Sequence, residues 1–136
     1  MKEQYIRIKD YDWDLYIYYC KSYYPIQTII ERLYSIECPY EYAQDAYITM
    51  TNNKTNVAFT YTNNNIKSSL IVIGIADDAS QYFNSIVHEI YHLVEHIRKH
   101  YDIDDNHEDI ATLIGNISQE MYKVCHNLLC NCCKEK

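Results

Sequence analysis

Glycine and proline are scarce, with two of each in 136 residues. So little glycine leaves no room for a Gly-rich phosphate loop, and collagen-like or Gly/Pro-rich disordered character is excluded with it. Basic charge is also short. Twelve Lys+Arg face 19 Asp+Glu, a net charge of −7, so there is no basic surplus to neutralise phosphates or an anionic lipid surface. Neither nucleic acid nor membrane is an expected partner. Long apolar runs are missing as well: Leu70 to Ala76 falls far below the ~20 residues of a bilayer helix. The start, Met1-Lys2-Glu3-Gln4-Tyr5, lacks the apolar stretch of a secretory signal, so a cytoplasmic location is expected. Six cysteines in such a compartment are read as thiols or metal ligands rather than disulfides.

What is present describes a folded domain. Hydrophobic residues make up 48% and charged residues 23%, and the length suits one domain that buries a core without covalent staples. Residues 5–19 are rich in strand formers around the turn-like Asp10-Tyr11-Asp12 and fit one or two strands. After Pro25, Ile26, Ile29, Ile30 and Leu33 recur at helical spacing, which predicts an N-terminal helix ending before Pro39. Tyr47 to Met50, Val57 to Thr62 and Leu70 to Ile75 are β-branched or aromatic runs separated by Asn-rich turns. They predict an antiparallel meander. The period then changes. Phe83, Ile86, Val87, Ile90, Leu93, Val94 and Ile97 share one face of a helix over 79–99, capped by Asp78 or Ser80. A polar break at 102–106 leads to a second helix through Ile110, Leu113, Ile114, Ile117 and Met121. The fold class is α+β, a single domain over 1–124 with a Cys-rich tail at 125–136.

Chemistry concentrates in His88-Glu89-Ile90-Tyr91-His92, inside the predicted 79–99 helix. Four residues advance a helix by a little over one turn, so His88 and His92 lie on one face, the spacing that grips one zinc ion. Glu89 points to the adjacent side, where it can hold a water and take its proton. A catalytic zinc needs a third protein ligand and an open position. A metzincin-type histidine would stand six residues after His92, but Arg98 occupies that position. His96 and His100 drift round the helix, His100 by roughly 120° from His88, and are peripheral. Glu108, in Glu108-Asp109-Ile110-Ala111-Thr112-Leu113-Ile114-Gly115, opens the next helix and is the better choice, with Asp109 second. The competing role for Glu108 is a capping box with Asp105 as N-cap.

These residues resemble the gluzincin pattern, in which His-Glu-x-x-His is followed by a helix reading Glu-x-Ile-x-x-x-x-Gly. They resemble still more the small single-domain zincin-like proteins of bacteriophages and mobile elements. The resemblance spans about residues 56–122. It implies a zincin-like fold, Zn²⁺ held by His88, His92 and Glu108, and Glu89 as general base. The implied activity is that of a zinc metallopeptidase acting on a peptide or protein, with an extended substrate at the sheet edge near 70–75. The alternative is a catalytically inactive zincin-like protein-binding module or regulator. Three departures stand out. Thr112 replaces the aspartate that orients a ligand histidine, the gap from His92 to Glu108 is short, and the subdomain bearing a transition-state histidine is absent. Tyr91, His107, Tyr122 and His126 are candidates for oxyanion stabilisation. In the tail, Cys125, His126, Cys130, Cys132 and Cys133 form either a frayed end or a second metal or redox site. The Pro-Cys-x-x-Cys half of the zinc deaminase signature is missing.

Overall fold

The computed structural model describes residues 1–53 and 55–130. Strands β1 (Lys2–Ile8) and β2 (Trp13–Tyr19) form an opening hairpin, followed by helices α1 (Ile26–Ser35) and α2 (Tyr40–Asn52). Strands β3 (Phe59–Asn63) and β4 (Ser68–Ile73) come next, then α3 (Ala79–His100) and α4 (Glu108–Cys125). The sheet order is β1-β2-β4-β3. β2 and β4 are parallel, while β1 with β2 and β3 with β4 are antiparallel. The α+β class therefore holds, and the strands over 5–19 and the helix after Pro25 are present as β1, β2 and α1, but the sheet is mixed rather than a meander and it begins ahead of that helix. The reason is topological: α1, α2 and β3 intervene between β2 and β4, and a parallel pair needs that long crossover.

Side-chain alternation divides the core in two. Trp13, Leu15, Ile17 and Tyr19 of β2, with Ile71 and Ile73 of β4, pack against Ile86, Ile90, Leu93, Ile97, Leu113 and Ile117 of α3 and α4. Tyr18, Leu70 and Val72 face the other way, onto Ile29 and Leu33 of α1 and Ala43, Ala46 and Met50 of α2. All of β4 is buried because helices cover both its faces and strands both its edges. The stretch near 70–75, expected to form the sheet edge beside the cleft, is thus interior, and the edges are β1 and β3. Tyr47 to Met50 lies inside α2 rather than in a strand. There Ala43, Ala46 and Met50 turn inward at helical spacing, and Tyr47 and Ile48 face solvent.

Asp78 is the N-cap of α3. Its carboxylate accepts from the Gln81 backbone N–H at 2.9 Å and from the Ser80 hydroxyl at 2.7 Å, so Ser80 supports the cap instead of forming it. Asp78→Ala is expected to cost about 1 kcal/mol, read as a lowered urea midpoint with unchanged slope. An unmoved midpoint would show that the first turn of α3 is secured by its packing alone.

One close approach fixes the segment before β3. A Cβ on Gly74 would stand 2.0 Å from the Val57 carbonyl oxygen and 2.7 Å from its nitrogen. Asn56, at φ 61°, donates its N–H to the Ile75 carbonyl, and the Tyr24 hydroxyl accepts from both the Val57 and Ile75 N–H groups, at 3.2 and 3.1 Å. Residues 56–58 are thereby strapped across the end of β4. At the other end, Cys125 closes α4 in the core and Leu128 packs beneath it. Cys132 and Cys133, and with them the Cys-x-x-Cys pair begun by Cys130, lie outside the described residues.

Candidate metal and catalytic site

α3 turns Ile86, Ile90, Leu93, Val94 and Ile97 inward, which leaves His88 and His92 on its outer flank one turn apart. The two Nε2 atoms converge to 3.0 Å. Two ligands of a tetrahedral zinc are separated by roughly 3.3 Å, so both imidazoles fit one ion with a shift of a few tenths of an ångström. The His88 side chain is 63% exposed, which keeps the approach open.

Glu89 contrasts with its neighbours in being buried, its side chain only 5% exposed. A carboxylate so placed needs hydrogen bonds. The Thr60 hydroxyl of β3 supplies one, donating to Glu89 Oε1 at 2.8 Å, and Glu89 Oε2 then lies 4.0 Å from His88 Nε2. One oxygen is anchored, and the other faces the imidazole pair. His88 and Glu89 border a cleft of about 410 Å³ whose further walls are Asn56, Ala58, Gln81, Asn84 and Ser85. The strapped segment 56–58 is one rim and the first half of α3 the other. Thr60 escapes motif reasoning because it is distant in sequence. Its signal is a threonine pair, Thr60 and Thr62, alternating with Phe59 and Tyr61 so that β3 shows α3 a polar face.

His96 takes no part in the pair. It is half-buried, and its Nδ1 meets the Thr62 hydroxyl at 2.7 Å. Thr62 contacts the Ser69 hydroxyl at 2.7 Å, and Ser69 Oγ accepts from Trp13 Nε1 at 2.9 Å. Burial, aided by nearby His92, holds the His96 pKa below its ordinary value. His100 lies edge-on to Trp13 with ring centroids 5.3 Å apart.

Glu108 is the first residue of α4 and is exposed. The N-cap is His107, not Asp105: its Nδ1 accepts from the Asp109 backbone N–H at 3.0 Å. A seven-residue connection separates Glu108 from the C-terminal end of α3, and His92 lies roughly 12 Å further back along that helix. Neither Glu108 nor Asp109 is grouped with His88 and His92, and among the described residues no three His, Cys, Asp or Glu side chains gather into a metal-holding cluster. Of the oxyanion candidates, Tyr91 stands beside the pair, its ring 5.8 Å from that of His92. Tyr122 and His126 stack on one another instead. Among the described residues no helix is long and apolar enough to cross a membrane. No known family model, curated protein or solved structure matches the chain.

Proposed function

We propose that this protein is a minimal zincin-like, zinc-dependent peptide hydrolase in which His88 and His92 hold the metal and Glu89 is the general base. The observation that carries this reading is the convergence of the two Nε2 atoms to 3.0 Å beside a buried carboxylate with one oxygen anchored and one free. Zinc bound there would polarise a carbonyl and make water acidic enough to lose a proton near neutral pH. Glu89 Oε2 takes that proton and delivers it to the leaving amine, while Thr60 keeps the carboxylate aimed. The substrate approaches as an extended chain along β3, the sheet edge on this side of the molecule. Glu108 is the proposed third ligand, which requires the first turn of α4 to move toward the pair. Peptide substrates, zinc and a cytoplasmic setting belong to this reading together.

The deciding experiment is elemental mass spectrometry on the full chain prepared without added metal. Expected are one zinc per chain in the wild type, none in His92→Ala, and affinity lowered roughly a hundredfold or more in Glu108→Ala. Zinc retained at full affinity in Glu108→Ala would move the third ligand elsewhere. No zinc in the wild type would sink the hydrolase. The second reading, a non-catalytic zincin-like binding module or regulator, is favoured by the exposed stripe Phe83, Val87 and Tyr91 at four-residue spacing on α3. It gains if zinc is bound and no peptide is cleaved.

A further inference from the structure

The cleft at His88 and Glu89 does not end at the strap. On the other face of the sheet, a second cavity of about 570 Å³ shares Asn56 and Ala58 with it and is walled by Tyr42, Asp45 and Phe59. β3 runs between the two as an edge strand, with Thr60 turned to α3 and Phe59 turned to α2. A peptide that adds to this edge must alternate its side chains between the two faces. A residue whose side chain falls in the Glu89 cleft therefore has neighbours whose side chains fall beside Tyr42 and Asp45.

The chemistry of the second cavity selects its occupant. The Tyr42 ring lies 6.3 Å from that of Phe59, giving an aromatic wall, and is backed by the Tyr61 ring at 4.8 Å. Asp45, one turn further along α2, is the one charged group among the described lining residues, and no cation among the described residues pairs with it. An aromatic wall ending in a carboxylate suits an aliphatic stem tipped with a cation: the stem covers the rings, and the charge meets their faces and the carboxylate. We propose that the substrate carries a lysine or arginine next to the residue bound at Glu89, with its side chain held by Tyr42, Phe59 and Asp45. The inference rests on the hydrolase reading only for which bond is cut, since the binding itself needs no chemistry.

The test uses the full chain carrying Glu89→Gln, so that bound peptide is not consumed. Fluorescein-labelled decapeptides of Ala and Thr with one central Lys, Arg, norleucine or Glu are titrated by fluorescence anisotropy. The Lys and Arg peptides should bind about five- to tenfold more tightly than the norleucine peptide. That advantage should vanish when Asp45→Asn is added and turn toward the Glu peptide with Asp45→Lys. Equal binding of all four, no binding at all, or an advantage that survives Asp45→Asn overturns the proposal. Zinc-loaded wild type, given the same peptides, separates the two ideas. Basic-directed binding without cleavage leaves the subsite standing and removes the hydrolase; cleavage indifferent to the basic residue does the reverse.

Discussion

Glu89→Gln is expected to lower peptide hydrolysis about a thousandfold while zinc content and melting temperature stay at wild-type values. The substitution is nearly isosteric, and the amide oxygen can still accept from Thr60, so the carboxylate's position is filled without disturbing β3. What disappears is the proton acceptor facing His88. Glu89 is not a proposed ligand, so metal affinity should follow His88 and His92 and not this residue. Steady-state cleavage of a quenched fluorescent peptide, with metal measured on the same sample, gives both quantities. Activity within a few-fold of wild type would remove Glu89 as the base. Loss of zinc along with activity would make it a ligand instead. The drop should fall on kcat, because an interaction made during proton transfer contributes little to substrate binding.

Gly74→Ala is expected to cost about 3 kcal/mol, a fall in melting temperature of about 10 °C for a chain of this length. The added methyl group would run into the backbone of Val57, at 2.0, 2.6 and 2.7 Å from its carbonyl oxygen, carbon and nitrogen. Backbone cannot rotate out of the way as a side chain can, so the strap must lift. Lifting it strains the Asn56 to Ile75 bond and the pair of bonds to the Tyr24 hydroxyl. Because Asn56 and Ala58 wall both the Glu89 cleft and the Asp45 cavity, the damage should reach peptide binding as well as stability. Thermal unfolding followed by circular dichroism tests the first effect. A melting temperature within a degree or two of wild type would show that residues 56–58 yield at little cost.

Local periodicity carried much of this fold into view. Most of the inward face of α3 and its Asp78 cap are legible because a 3.6-residue repeat bounded by a capping residue has few competing explanations, but Phe83 and Val87, expected on that face, lie exposed at its margin. So are the His88 and His92 pair and the flank taken by Glu89, since all three are set by helix geometry alone. Tyr47 to Met50 misleads because its strand-forming side chains sit on the solvent face of α2. Of the inward positions there, Ala43 and Ala46 are small and mark no face by size, which leaves Met50 alone to do so. The parallel pairing of β2 with β4 is set by how the chain crosses over, which no single segment encodes. The cap of α4 is displaced to His107 because an imidazole nitrogen accepts an N–H as an aspartate would, a substitution that residue preferences undervalue. Thr60 is decided wholly by tertiary contact.

The hydrogen bonds linking Trp13 to His96 start from a fixed donor. An indole N–H only donates, so the Ser69 oxygen receives it, and the Ser69 hydrogen is then free to point at Thr62. Thr62 can in turn give its own hydrogen to His96 Nδ1, 2.7 Å away. In that order every hydrogen in the series has a partner and His96 carries its hydrogen on Nε2; with the hydrogen on Nδ1 instead, the Thr62 bond runs the other way. Of the histidines spaced four apart along α3, the third is thus tied through its Nδ1 to a series of bonds that ends at the buried tryptophan, while the two before it bring their Nε2 atoms together.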